Sequence, residues 1–353
     1  MSPLLLHEFH RSHGGRFLEI NGQEAVADYG NVSSEHAALT QSGGILDLSY
    51  RGRLCVLGQD RAKFLHGQVT NNVNHLRTAE GCYAAIVSAK GRIQSDLHLY
   101  ILENEILLEF EPGLADPVKE RLEKYIIAED AQILDVSEHY GLWSVQGPQS
   151  AEILKRLPLK LIAAAKPHAL VKIEDAALGE IYLANRARTG SGGYDIFVPS
   201  AAMAEFASQL AATETQLCGW SALEIARIEA GIPRFGIDMD ETNLAPEALG
   251  ASAISYAKGC YIGQEIIARV RTYGQAAKAL RAIRLPDRLP TVPSRGDKLF
   301  LGDKEVGQIT SVAGTVALGY VRREANQPGT ELILRTGSDN VPVTIVELPV
   351  AKS

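Results

Sequence analysis

The chain has 353 residues, 46% of them apolar and 22% charged, which suits a globular protein of two or three domains with a substantial core. Its 42 acidic and 35 basic residues leave a formal net charge of −7, which argues against broad sequence-independent nucleic-acid binding and gives no support for a surface that clings to anionic lipid. No apolar run reaches membrane-spanning length, and the N-terminal Met-Ser-Pro-Leu-Leu-Leu-His-Glu carries neither a basic secretory region nor an Arg-rich transit pattern, so a cytoplasmic protein is expected.

Residues 53–58 read as a strand, after which Asp60 is expected to cap a short helix that carries Ala62, Phe64 and Leu65 inward. Two strands follow at 83–88 and 92–102, joined by an Ala89-Lys-Gly-Arg92 hairpin turn, with a third near 105–111. Asp116-Pro117 opens a helix, with Pro at its first position and Val118, Leu122 and Tyr125 or Ile126 on its buried face. Segment 141–147 reads as a buried strand ending at Gly147-Pro148, which launches a helix through Leu157. Strands are expected near 169–173, 180–187 and 194–198, then a helix from 200 to about 211. Ser221 and Glu224 have the spacing of a capping box, and the helix behind them runs to Gly231, with Pro233 just beyond. From about residue 278 short alternating segments dominate, at 279–285, 298–301, 306–312, 316–321, 330–335 and 343–348: a small all-β barrel or sandwich. Irregular alternation of strands and helices before that point predicts an α+β protein rather than a doubly wound sheet.

The four cysteines, at 55, 82, 218 and 260, show no CxxC and no Cys/His cluster, so a disulfide framework, a structural zinc site and a self-held iron–sulfur cluster are unsupported, and no metal site is assigned. Cys260 differs from the others in its setting. It lies in Lys258-Gly-Cys-Tyr-Ile-Gly-Gln-Glu265, just before a helical pattern, where Lys258 and the helix N-terminus would both favour a thiolate; a glycine turn around a small buried cysteine is the alternative.

Tyr83 and Asp96 fall on adjacent strands of the hairpin. A carboxylate among Ile93, Leu97 and Leu99 either points outward as the polar half of an alternating strand or needs a partner or a wet cavity, where it could bind an amine edge or move a proton. Glu229 lies at the C-terminal end of its helix, where the macrodipole disfavours an acid, so Arg227, a ligand donor or solvent must compensate. Asp238, Asp240 and Glu241 lack the remaining spacing of a calcium loop and read as a solvated acidic loop or a lid. Gly190–Gly193 lacks the Gly-Lys-Ser/Thr ending of a phosphate loop and reads as a turn. The nine histidines have no metal-ligand spacing beyond an N-terminal trio at 7, 10 and 13, which is not read as a site.

Four separated motifs resemble, in order, those of the YgfZ family, the folate-binding relatives of the glycine-cleavage T protein (aminomethyltransferase). They are Gly58-Gln-Asp-Arg-Ala-Lys-Phe-Leu-His-Gly-Gln-Val-Thr-Asn71, Lys90-Gly-Arg-Ile-Gln-Ser-Asp96, Arg227-Ile-Glu-Ala-Gly-Ile-Pro233 and Lys258 to Glu265, and the likeness spans about residues 30–345. The resemblance implies a three-domain cloverleaf around a central folate-binding channel: two α+β folate-binding domains, 1–50 plus 141–275 and 51–140, and a C-terminal β-barrel domain, 276–353. It implies that Tyr83, Asp96 and Glu229 bind tetrahydrofolate or a derivative, with Asp96 also catalytic. Cys260 would be a second catalytic group, supported by Lys258, Gly259, Gly263, Gln264, Glu265 and Arg227.

The aminomethyltransferase branch has no cysteine in the segment that matches 258–265, and Leu48-Ser-Tyr-Arg51 departs from its usual Val-Ser-His-Met. The implied role is therefore folate-dependent support of iron–sulfur cluster assembly or repair in client enzymes, including those that thiomethylate tRNA, with assembly proteins or clients as partners. A tetrahydrofolate-dependent aminomethyltransferase or demethylase is the alternative, which would make the protein a one-carbon transferase. A non-catalytic folate-sensing adaptor is a further one.

Overall fold

A computed structural model describes residues 2–159, 164, 166–272 and 276–347. Helix α1 (His7–Ser12), the hairpin of β1 (Arg16–Ile20) and β2 (Gln23–Asp28), helix α2 (Val32–Gln41) and strand β3 (Gly44–Asp47) come first. The Asn31 side chain accepts from the Ser34 amide at 3.1 Å and caps α2. The chain then builds a five-stranded antiparallel sheet from β4 (Gly52–Leu57), β5 (Gly81–Val87), β6 (Ile93–Ile101), β7 (Ile106–Phe110) and β8 (Gln132–Asp135), in the order β5-β6-β7-β4-β8. Helices α3 (Arg61–Gln68) and α4 (Ala115–Glu123) belong to this unit. Their Phe64, Leu65, Val118 and Leu122 pack with Ala84, Ile86, Leu97 and Leu99 of the sheet. Alternation on β6 therefore leaves Asp96 and His98, both half-buried, on the opposite face, while a bulge opposite Ile86 and Val87 turns Gln94 back to the helices, where it accepts from Arg121 at 2.9 Å.

A six-stranded sheet follows: β9 (Tyr140–Gln146), β10 (Leu170–Asp175), β11 (Gly179–Asn185), β12 (Gly193–Pro199) and β13 (Gln216–Leu217), joined by β3, in the order β10-β11-β12-β9-β3-β13. Helices α5 (Ser150–Leu154) and α6 (Met203–Ala211) cover one face, with Ile153, Met203, Phe206 and Leu210 against Trp143, Val145 and Ile196. Helices α7 (Trp220–Glu229), α8 (Ala245–Ala248) and α9 (Gln264–Thr272) lead to the last unit. There β14 (Lys278–Arg284), β15 (Lys298–Leu301), β16 (Lys304–Ala313), β17 (Val316–Arg322), β18 (Glu331–Thr336) and β19 (Asp339–Val346) close into a barrel. Ile283, Leu299, Ile309, Val321, Leu334 and Ile345 fill its interior, which settles the choice between barrel and sandwich. No helix among the described residues is long and apolar enough to cross a membrane.

Several local expectations need correction. Helix α7 begins at Trp220 with Gly219 as its cap, and Ser221 and Glu224 form no capping box. Glu224 instead takes ion pairs from Arg227 at 2.9 Å and Arg234 at 2.6 Å, which outweigh a backbone contact. Asp60 sits at the start of α3 without capping it, because its carboxylate accepts from the Asp130 amide at 3.0 Å. Helix α4 starts at Ala115, so Pro117 is its third residue, and α5 stops at Leu154. The 236–243 loop is not simply solvated. Asp238 is buried and accepts from Arg227, the Arg234 amide at 3.0 Å, and the Thr310 and Ser311 hydroxyls at 2.6 Å each, which ties the loop to the barrel.

The segment between α7 and α9 runs across the free face of the β5–β6 hairpin. Ile93 N donates to Asn243 O at 3.0 Å and Ala245 N to Gly91 O at 3.3 Å. Met239, Ala245, Leu249, Ile254, Tyr261 and Ile267 pack on Ala85, Val87 and Ile93.

Candidate functional site

A cavity of about 960 Å³ lies where the three β units meet. The five-stranded unit contributes Tyr83, Asp96, His98 and Glu111; the six-stranded unit contributes His168, Arg186 and Arg188; α7, the loop beyond it and α8 add Arg227, Arg234 and Glu247; and Arg281 enters from the barrel. A cleft of this size at a junction of domains suits one drug-sized ligand.

Asp96 is the chemical centre of the wall. On the paired strands Ala85 lies opposite Asp96 and Tyr83 opposite His98, so Tyr83 and Asp96 are diagonal neighbours on one face. The Tyr83 hydroxyl donates to Asp96 Oδ2 at 2.8 Å, while Asp96 Oδ1 is buried with no protein partner. Burial, then the Glu111 carboxylate, pushes the acid up to about 6, against the Tyr83 hydrogen bond and the guanidinium groups of Arg51 and Arg186. Such a group has an acceptor to spare and holds its proton part of the time near neutrality, which suits both binding an N–H and moving a proton.

Behind this wall stands an ionic lattice. Fully buried Glu109 accepts from Arg51, from Arg186, and from Arg188 at 3.1 Å. Burial alone would raise Glu109, yet Arg186, Arg188 and Arg51 hold it well below the usual carboxylate range. Arg188 also grips Asp195 at 2.7 Å and 2.9 Å, and Arg51 reaches Glu111 at 2.7 Å. Arg234 pairs with Glu111 at 3.3 Å and lies 3.8 Å over the Trp220 ring. Arg281 has no carboxylate partner among the described residues; its donors go to the Asn326 and Leu280 carbonyls, at 2.9 Å each.

The other expected site residues are spread more widely. Arg227 lines the cavity, whereas Glu229 is not part of its lining and its carboxylate meets His36 of α2 at 3.0 Å. Two residues along a helix turn a side chain by roughly 200°, so the face of α7 that carries Leu223 and Arg227 to the cavity carries Glu229 away from it. Lys258 is buried, and its ammonium donates to the carbonyls of His66 at 2.5 Å, Val69 at 2.7 Å and Asn71 at 2.8 Å, at and just past the end of α3. Those three acceptors use all three of its donors, so its polar contacts serve α3 rather than the Cys260 thiol. Cys260 is exposed and outside the cavity lining, while Cys55 and Cys218 are buried and Cys82 is half-buried.

Gly259 and Gly263 shape the Cys260 loop. A Cβ on Gly259 would meet only His66, at 3.6 Å, whereas Gly263, at φ +79°, would drive one to 2.5 Å from Ser88 O on the β5–β6 turn. Gln264 Oε1 accepts from the Tyr261 amide at 3.3 Å, and Glu265 pairs with Arg269 at 2.8 Å on the surface.

Sequence reasoning missed His98, His168 and most of the arginine lattice. One signal was present. His98 stands two residues after Asp96, Glu111 two after Glu109, and Arg188 two after Arg186, and in an extended segment that spacing puts charges on one face.

Residues 6–258 match the family model of the GCVT N-terminal domain, and residues 278–352 match that of the glycine cleavage T-protein C-terminal barrel domain. An aminomethyltransferase of Bacillus subtilis is 26% identical over 359 residues, covering 98% of this chain and 98% of that protein. A putative chloroplastic transferase of Arabidopsis thaliana is 29% identical over 344 residues, 95% of this chain and 77% of that one. The crystal structure of the glycine cleavage system aminomethyltransferase T from Bartonella henselae has the same fold, with a TM-score of 0.88 at 22% identity, over 99% of this chain and 97% of that one.

Proposed function

The chain belongs to the glycine-cleavage T-protein family, and from that premise we propose that it binds tetrahydrofolate or a derivative in the central cavity and acts there as a one-carbon transferase of the aminomethyltransferase kind. The observation that carries the reading is Asp96, with one carboxylate oxygen held by Tyr83 and the other buried and unpartnered on the wall of a cavity of about 960 Å³. The N–H groups of a pterin ring are the donors that such an oxygen lacks. Arginine-rich walls suit the acidic tail of the same molecule. Bound folate would supply the nitrogen that takes up the one-carbon unit. Asp96 would hold that ring in place and accept or return a proton at Oδ1, and Tyr83 would fix the carboxylate's orientation.

The test is transfer from an aminomethyl-loaded carrier, or from a methylated amine, to tetrahydrofolate. Wild type should yield methylenetetrahydrofolate, and Asp96→Asn should lower the rate about 10²–10⁴-fold, the range of a lost acid–base group. A folded wild type that binds no folate would overturn the reading.

A second reading rests on Cys260, the exposed thiol among the four, in the segment that resembles the YgfZ signature. In it, folate binding supports iron–sulfur assembly or repair in client enzymes, including tRNA-thiomethylating ones, and client or assembly proteins dock near the thiol. Complementation of a host lacking its own YgfZ-type gene separates the two. Rescue of tRNA thiomethylation by wild type but not by Cys260→Ala favours maturation. Rescue by both favours a maturation role that does not need the thiol, and failure of a soluble, expressed wild type leaves transferase chemistry as the function.

A further inference from the structure

Resting on the folate reading, we infer that His98 and His168 act as a donor–acceptor pair which reads a lactam edge of the ligand bound at Asp96. His98 stands across the β5–β6 ladder from Tyr83, with the two rings stacked 4.7 Å apart at 26°. His168 reaches the same column from the segment before β10, its ring centre 5.1 Å from that of His98 and the two Nδ1 atoms 3.4 Å apart. Both residues line the cavity.

The placement of His168 is enforced. Its φ is +60°, a left-handed conformation that costs a branched-ring residue energy. Its amide donates to Asn185 O at 2.9 Å, and the Leu170 amide donates to Ala79 O at 2.9 Å, so backbone from both sheets holds the turn. A Cβ on Gly81 would come within 2.9 Å of His168 O, which marks the close approach of the two units here.

Burial, then Arg186, lowers both imidazoles, His98 well below its ordinary value and His168 to about 4, so both rings are neutral at physiological pH. Two neutral rings joined through their Nδ1 atoms can place only one proton between them. One ring is then protonated at Nδ1 and presents a bare Nε2; the other accepts at Nδ1 and presents Nε2–H. Neither Nε2 has a protein partner among the described residues, and neither is among the fully buried unpartnered atoms, so these two cavity-lining residues keep one donor and one acceptor for a ligand.

A group with one N–H and one C=O side by side matches that pair. A carboxylate would set an oxygen against the bare nitrogen, and an ammonium would leave Nε2–H unmatched. In a folate, the pterin lactam, a cis amide held in a ring, has the required edge, whereas the trans benzoyl amide points its N–H and C=O in opposite directions; the lactam would lie in the same cavity as the Asp96 contact.

The experiment uses full-length protein and 5-formyltetrahydrofolate as a stable probe, followed by calorimetry at pH 7.5. His98→Phe keeps the stack on Tyr83 without ring nitrogens, and His168→Asn keeps a residue that tolerates left-handed backbone. Each should weaken binding about tenfold or more while the thermal midpoint stays near that of wild type. Wild-type affinity in both variants would overturn this inference and leave the folate reading standing. No binding by folded wild type would overturn both. Nitrogen-15 imidazole spectra give an independent readout: at pH 7 one of these rings should be the Nδ1–H tautomer and the other the Nε2–H tautomer, and two identical tautomers, or a charged ring, would sink the proposal.

Discussion

A carboxylic acid lifted to about 6 binds its proton more tightly in the folded chain than in the unfolded one, and Asp96 is such an acid. Its contribution to stability is fully present below the unfolded value near 3.8 and is lost as pH rises through about 6. Integrated over that window, the loss is about 3 kcal/mol at neutral pH. Asp96→Asn should therefore raise the thermal midpoint at pH 7–8, with the gain shrinking toward zero near pH 4, while transfer activity collapses. A midpoint difference independent of pH would mean that Asp96 titrates as an ordinary surface acid. Stability and function pull in opposite directions at this residue, as expected of a group held for its chemistry. That Tyr83 and Asp96 lie on neighbouring strands was legible in the sequence, but their shared face was not, because a bulge between Ile86 and Val87 shifts the register by one residue from the one next to the turn. The neutralisation of the cavity wall was not, since Arg186 and its acceptor Glu109 are 77 positions apart and no local pattern joins them.

At the scale of elements, the barrel could be read from alternation because its strands have one face on a core, and inner strands such as β7 and β9 from apolar runs, whereas helix caps and termini could not. Asp60 and Glu224 have the right chemistry and spacing for caps, but tertiary partners won both. The same competition explains the 258–265 segment. Its lysine caps a neighbouring helix and its Gly263 admits the β5–β6 turn, so much of the motif serves to dock α9 and the loop before it. Lys258→Met should leave three carbonyls without their donor and cost about 2–3 kcal/mol, read as a fall in the urea midpoint. Cys260→Ala should change stability by less than about 0.5 kcal/mol, because the thiol is exposed. Alkylation followed by mass spectrometry should find Cys260 labelled first: burial pushes Cys55 and Cys218 far up and Cys82 to about 12. A lysine variant as stable as wild type, or earlier labelling at Cys82, would contradict this division of labour.

At the scale of the molecule, the cavity exists only while three units keep their places: the two sheets share one apolar core, with Tyr100 and Leu107 in one cluster with Leu142 and Phe197, and buried charges add to the joint with the barrel. Asp238 is the clearest joint. It gathers Arg227 of α7, the Arg234 amide of the cavity loop and two hydroxyls of the barrel strand β16. Arg227 also donates to Ser311 at 3.0 Å, so removing the acid leaves a buried guanidinium with Glu224 as its one remaining carboxylate among the described residues, at the contact between α7 and the barrel. Breaking one side of a buried ion pair costs about 3–5 kcal/mol, far more than the pair is worth against an apolar replacement. Asp238→Ala should therefore lower the thermal midpoint sharply, and it should split the calorimetric transition, because the barrel has its own closed sheet and core and can outlast or precede the rest. Folate affinity should fall in step, since Arg227 and Arg234 line the cavity although Asp238 does not. Asp238→Asn keeps an acceptor for the hydroxyls and should show a smaller midpoint shift. If Asp238→Ala instead unfolds in one transition at the wild-type midpoint, the units are held together by their apolar contacts alone and the ionic joint is incidental.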